Sequence, residues 1–214
     1  MKTIYFVRHG ETESNFLKVP GHHTDPLSKR GAIQAELVSG RLAEVGIEVI
    51  VSSPYMRAQQ TAEKINSVLG KEIVLNTFFE EIKGVSVLRG VPRTDLESQK
   101  IRNLIQDKIA DPEWHFDDEE NFLDVKKRSQ AALDMLISRP EECILTVTHG
   151  AFLRALMRLM LLGDLLSPEL YLKTYHSFGL SNTGVTVCEY DEKRGWQLIR
   201  WNDTVHLSPE LHTY

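Results

Sequence analysis

Thr3-Ile4-Tyr5-Phe6-Val7-Arg8-His9-Gly10 is the stretch that sets the fold. Residues 3–7 form a short apolar, β-rich run without polar alternation, the pattern of a central parallel strand covered on both faces. The run stops at Arg8 and His9, so a basic pair stands where a buried strand ends. A polar loop with Pro20, Gly21 and Pro26 follows.

Outward from this strand the chain alternates. Ser28 reads as the N-cap of a helix with Ile33, Leu37, Val38, Leu42 and Val45 at helical spacing and Gly46 at its end. Residues 47–53 read as a second strand. Pro54 opens a helix striped by Ala58, Ala62, Ile65 and Leu69 and closed by Gly70. A short third strand is expected over 71–76. Residues 78–118 are irregular, with one helix expected near 95–110. A helix over 119–138 puts Phe122, Val125, Ala132, Leu133 and Leu136 on one face, and its first turn takes the acidic run Asp117-Asp118-Glu119-Glu120. Residues 143–149 give the strongest strand, 151–162 a buried helix, and 184–190 with 196–201 two closing strands, antiparallel about a turn at Asp191–Gly195. Such alternation predicts an α/β, three-layer sandwich: a mostly parallel central sheet with helices on both faces. We expect a single domain over 1–214, with an inserted cap-like segment at about 83–118.

Composition narrows the function. A net charge of −5 argues against a nucleic-acid or anionic-membrane surface, which needs a basic excess. Two cysteines, Cys143 and Cys188, lie in strand-like runs and read as buried free thiols rather than a disulfide framework. The start lacks the long apolar stretch of a signal peptide, and the most apolar later run carries Arg154, Arg158 and Asp164. The expectation is a cytoplasmic protein without a membrane span.

Three polar groups fall at three strand ends: Arg8-His9-Gly10, Ser52-Ser53 with Arg57, and Thr148-His149-Gly150. In open α/β sheets ligands bind outside the carboxyl ends of the strands. The three ends therefore converge on one crevice holding two histidines, two arginines and helix N-termini. Guanidinium groups and helix N-termini both favour phosphate oxygens. Singly, His9 would more often be structural, Arg57 a surface residue and His149 a cap; their order and placement together point to an anion site. The run Gly21-His22-His23-Thr24-Asp25 invites a metal, but adjacent histidines rarely share one ion and no other ligand spacing is present, so no metal is expected and the loop is read as the pocket entrance.

Val7-Arg8-His9-Gly10-Glu11-Thr12 resembles the signature of the histidine phosphatase superfamily, which includes the cofactor-dependent phosphoglycerate mutases. The resemblance continues through Asn15, residues 25–31 (DPLSKRG) with Gln34-Ala35, Ser52-Ser53-Pro54 with Arg57-Ala58 and Thr61-Ala62, then Glu120, Asp124 and Arg128, and Thr148-His149-Gly150. Asn182, Trp201-Asn202-Asp203 and His206-Leu207 are similar to the family's ending. The resemblance implies that His9 attacks phosphorus and becomes a phosphohistidine, with Arg8, Arg57 and His149 on the phosphoryl oxygens. It also implies a glutamate that protonates the leaving oxygen. Glu80 and Glu81 are the candidates, and Glu81-Ile82-Lys83 followed by Ser86 and Gly90 resembles a variant of that block, which favours Glu81. Asn15, Gly21, His22 and Gly150 are expected to touch substrate. The family's common glycine-tryptophan-glutamate-glycine turn is replaced here by GVSVLRG, and the insert, with Arg89, Arg93 and Trp114, is expected to shape specificity.

The expected activity is hydrolysis of small phosphomonoesters without metal or cofactor, on a small phosphorylated metabolite, by a monomer or homodimer. The alternatives are a cofactor-dependent phosphoglycerate mutase-type transfer and, behind it, a non-catalytic phospho-ligand binder.

Overall fold

A computed structural model describes residues 1–214. The elements run β1 (Lys2–Arg8), α1 (Glu13–Leu17), α2 (Lys29–Leu42), β2 (Val49–Ser52), α3 (Met56–Leu69), β3 (Ile73–Leu75), α4 (Leu96–Asp107), α5 (Phe122–Ser138), β4 (Cys143–Thr148), α6 (Gly150–Leu162), α7 (Pro168–Lys173), β5 (Val185–Asp191) and β6 (Gly195–Asp203). They build one sheet in the order β3-β2-β4-β1-β5-β6. The strands β3, β2, β4 and β1 are parallel, and β5 and β6 add an antiparallel edge.

β1 is central, and its side chains divide between the two faces. Ile4 and Phe6 join the core formed with α5 and α6, through Val125, Leu133, Leu136, Phe152 and Leu156. Val7 joins Val38 and Leu42 of α2 and Ala58, Ala62 and Ile65 of α3. A strand buried on both faces has no use for polar alternation, which is why residues 3–7 read as a continuous apolar run. The three-layer α/β sandwich follows. No helix is long and apolar enough to cross a membrane.

Several element boundaries and faces differ from the sequence expectation. α2 does not present Ile33 and Leu37 inward: they are 49% and 38% exposed. Its buried face is Gly31, Gln34, Ala35, Val38, Ser39 and Leu42. The phase is set by its first turn. The Ser28 hydroxyl accepts from the Gly31 amide at 3.0 Å and donates to Glu11 at 2.8 Å, and buried Gln34 accepts from the Glu11 amide at 2.8 Å. The helix thus packs small and amide-bearing residues against the loop after β1, and apolar spacing alone selects the wrong stripe. It ends at Leu42 rather than Gly46, and β2 shortens to Val49–Ser52.

The acidic run 117–120 is not the first turn of α5, which begins at Phe122 behind an Asn121–Asp124 capping box. Instead Glu119 is buried and accepts the amides of Phe116 and Asp117, at 2.6 and 2.9 Å. Asp118 accepts from the backbone and hydroxyl of Ser86, and Glu120 pairs with Arg128. The carboxylates fold the insert onto the body of the protein.

α2 meets the loop after β1 with backbone almost against backbone. A Cβ on Gly31 would fall on the Glu11 carbonyl oxygen and lie 2.8 Å from the Glu11 nitrogen. Gly31→Ala is therefore expected to cost about 1–3 kcal/mol, the range for overpacking. Gly40→Ala, in the same helix with open space around the site, is expected to be neutral or to stabilise by about 0.5–1 kcal/mol. Thermal unfolding of both variants checks the pair, and equal losses would contradict the close-approach account.

Candidate functional site

Because β1, β2 and β4 run parallel, their carboxyl ends open at one edge of the sheet, and the three polar groups meet there. His9 extends the β1–β4 pairing by one step, its amide donating to Thr148 O at 2.9 Å. Gly10 N is tied to the Thr61 hydroxyl at 3.1 Å, and Asn182 donates from its amide to His9 O at 2.9 Å. The histidine backbone is thus fixed from α3, β4 and the loop before β5.

The ring geometry selects a tautomer. His9 Nδ1 lies 2.7 Å from the Gly10 carbonyl, which can only accept, so Nδ1 carries the proton and Nε2 keeps its lone pair. Arg57 Nε donates to that lone pair at 3.1 Å. Burial, then the charges of Arg57 and Arg8, holds the His9 pKa well below the usual histidine value of 6.5. The same causes, burial first and then Arg57, hold His149 low as well. Both imidazoles are neutral.

His149 is fully buried, its ring centroid 5.0 Å from that of His9. Its Nε2 lies 2.7 Å from the Ser53 hydroxyl, and its Nδ1 is buried without a partner. Arg8 is buried and donates to Leu180 O at 2.7 Å, while its Nε is also buried without a partner. Burial, then the like charge of Arg154, lowers the Arg8 pKa to about 10. Arg57 donates to His22 O at 2.8 Å, with its guanidinium carbon 5.1 Å from the centroid of the Tyr55 ring. The groups form a cationic cage with unsatisfied donors, the inverse of an anion.

The cage opens into a cavity of about 670 Å³. Arg8, His9, Asn15, Gly21, Arg57 and Glu81 line it. Of the two candidate acids, Glu81 faces the cavity and Glu80 does not. The Glu81 carboxylate sits on the first turn of α6, accepting the amides of Phe152 at 2.9 Å and Ala151 at 3.2 Å. Its flanks are clamped by one ion pair. Arg128 binds Glu120 through two nitrogens at 2.6 and 2.7 Å and donates to the carbonyls of Phe78 and Glu80 at 2.8 and 2.9 Å. Glu120 in turn accepts the Lys83 amide at 2.8 Å.

Other predicted residues stand apart from the cavity lining. His22 is exposed, bonded to Thr24 at 2.8 Å, and it is His23 that lines the cavity. Gly150 lies beneath Arg8, whose Nε would be 3.2 Å from a Cβ there, so the glycine makes room for the guanidinium. His149 sits behind His9 rather than on the wall. Sequence reasoning gave no specific role to Tyr55, Thr61 or Asn182. Tyr55 carries no signal in the sequence. Asn182 stands in a polar run, Leu180-Ser181-Asn182-Thr183, between apolar segments, which is a usable sign of a buried hydrogen-bonded turn. No group of three or more His, Cys, Asp or Glu side chains is arranged to hold a metal ion.

Comparison with known proteins agrees with this geometry. The family profile described as the histidine phosphatase superfamily (branch 1) matches residues 4–204. The chain is 30% identical to a Proteus mirabilis protein named "Probable phosphoglycerate mutase GpmB", with 97% of this chain and 96% of that protein covered. Among solved structures it is similar to a phosphoserine phosphatase mutant from Entamoeba histolytica, crystallised with phosphoserine, at 28% identity and a TM-score of 0.78 over 97% of this chain and 100% of the other. It is also similar to Bacillus stearothermophilus YhfR, at 25% identity and a TM-score of 0.79 over 96% and 99% of the two chains. With the family profile spanning nearly the whole chain, this protein belongs to the histidine phosphatase superfamily.

Proposed function

We propose that the protein is a metal-independent phosphatase that hydrolyses small phosphomonoesters through a phosphohistidine on His9. The observation that carries this reading is the neutral, Nδ1-protonated His9 ring, whose Nε2 lone pair lies among Arg57, Arg8 and His149 at the end of a cavity. In the proposed first step Nε2 forms a bond to phosphorus as the ester P–O bond breaks, and Glu81 gives a proton to the departing oxygen. In the second, water attacks the phosphohistidine, Glu81 takes the proton back, the N–P bond breaks, and phosphate leaves. Arg8 Nε, without a protein partner, is a donor available to the phosphoryl oxygens, and His149 Nδ1, likewise without a partner, joins it when the Ser53 hydroxyl donates to Nε2 and leaves the proton on Nδ1. Arg57 must exchange its bond to Nε2 for a phosphoryl oxygen, which couples anion binding to release of the nucleophile. Asn15 and Gly21 line the substrate's path, and residues 83–118 serve as the cap over it.

A mutase is the second reading, supported by the names of curated relatives such as the Proteus mirabilis protein. The phosphatase reading draws on the phosphoserine phosphatase of Entamoeba histolytica, a structural relative at 28% identity. Phosphate release and isomerisation of 3-phosphoglycerate, measured on the same preparation with chelator present, separate the two. Hydrolysis is expected to dominate, and isomerisation far outpacing hydrolysis would overturn the phosphatase reading.

His9→Ala is expected to lower turnover by about 10³-fold or more and to abolish acid-labile phosphate on the protein. Retention of either would remove His9 as nucleophile. Glu81→Gln is expected to lower kcat by about 10²–10⁴-fold on alkyl phosphates, and Glu80→Gln to leave it within about twofold. The reverse ranking would move the acid to Glu80. In the free protein the ring resonances of His9 and His149 are expected to stay those of neutral imidazole as the pH falls through the ordinary histidine value of 6.5, since burial and then the arginines oppose protonation. A midpoint near 6.5 for His9 would contradict the cage electrostatics.

A further inference from the structure

The cavity does not end at the phosphate cage. It continues beneath the cap-like segment to α4, where Arg89, Arg93, Arg102 and Lys108 line it beside Trp114 and Tyr175. None of the protein's ion pairs involves any of these four cations. Of the carboxylates lining the same end, Glu119 holds the amides of Phe116 and Asp117, Glu120 holds Arg128, and Asp111 accepts the Glu113 amide at 3.4 Å. Arg102 is half-buried. Its Nε donates to Ser98 at 3.1 Å, and one terminal nitrogen is buried without any partner. Its pKa is lowered by burial and then by the neighbouring charge of Arg93. Arg102 stands on α4 and Arg93 just before it, whereas Arg8 ends β1 and Arg57 lies on α3, so a different part of the chain supplies this second group of cations. The wall of the same cavity includes Ile82, Val85 and Leu88.

Arg102, half-buried with one guanidinium nitrogen lacking a partner and the like charge of Arg93 acting on it, is costly unless an anion meets it. Cavities of roughly 300–1,000 Å³ enclose drug-sized ligands, so about 670 Å³ is far more than a three-carbon phosphate fills. Resting on the phosphatase reading above, we propose that the substrate is an elongated phosphomonoester with a second anionic group, carboxylate or phosphate, at its far end. That group sits on Arg93 and Arg102, and an apolar or aromatic body lies along Leu88, Trp114 and Tyr175. The cage at His9 takes the transferred phosphate, and the arginines of the cap select for length and charge at the other end.

The test uses two homologous series, alkyl phosphonates and ω-carboxyalkyl phosphonates of matched length, with binding measured by calorimetry so that turnover is not required. The carboxylate is expected to give no advantage on two- or three-carbon chains and an advantage of about tenfold or more on longer ones. In R102Q and R93Q the carboxyl-to-methyl affinity ratio is expected to fall towards one. Because the ratio is taken on a single preparation, partial loss of folded protein does not affect it. A repeat with terminal phosphonates in place of the carboxylates shows which anion is preferred. A ratio near one at every length, or one unchanged by both substitutions, overturns the proposal. Hydrolysis of the corresponding phosphates reports separately on the phosphatase reading: tight, length-selective binding with no phosphate release would leave the second subsite standing and remove the activity.

Discussion

The site depends on an uncompensated excess of buried positive charge. Arg8 is flanked by Arg154 and Arg57; Glu81 partly offsets Arg8 and Arg57, and Asp25 adds to this at Arg57. Neutral oxygens do the rest of the holding: Leu180 O for Arg8, His22 O for Arg57, Phe178 O for Arg154. A guanidinium can be kept there because it cannot shed its proton and has five donors to distribute. An imidazole in the same surroundings is held neutral first by burial and then by the arginine charges, and this applies to both His9 and His149. The Nε2 lone pair of His9 is thus kept without a dedicated base.

The same logic explains where the acid lies. A carboxylate facing three arginines would be drawn into the cage and pair there, which would quench the phosphate site. Glu81 is kept at the rim by the amides of α6 and by the segment that carries it. Arg128, stacked 4.1 Å from the Phe152 ring centroid, grips the carbonyls on one side of Glu81 while Glu120 grips the Lys83 amide on the other. A buried-facing ion pair contributes little net stability, but it fixes geometry well. Here it fixes the position of Glu81 relative to the cage.

The sequence made the fold and the cage legible for a shared reason. Strand ends in a parallel sheet face one way, so Arg8, His9 and His149, together with Arg57 just beyond Ser52, could be placed together from strand order alone. The α2 face was not legible, because buried Gln34 and Gly31 answer to backbone contacts rather than to hydrophobicity. The acidic run 117–120 was misread for a similar reason: a carboxylate accepting local amides looks the same in sequence as one in a first helical turn. His22 and His23 are consecutive residues of one loop, and only the backbone path decides which of them turns to the cavity.

The cap-like segment was least legible, and its construction shows why. α4 buries only Ser98, and Leu96 at its start is 72% exposed. What attaches the segment is largely polar, Gly90 N to Pro20 O at 3.2 Å, Ser86 to Asp118 and Lys83 to Glu120, with only Val85 and Leu88 buried and Ile109 packed on the core. Such a layer adds little to the hydrophobic core, so its sequence is free of the periodic constraints that make helices and strands readable. That freedom lets a fixed phosphate cage be paired with different walls. Chemistry is set at the strand ends, where packing tolerates little change, and selectivity is set where packing demands little. Exposed arginines such as Arg89 and Arg93 cost such a layer little, because water solvates them, so cations can be placed along the cavity without disturbing the core.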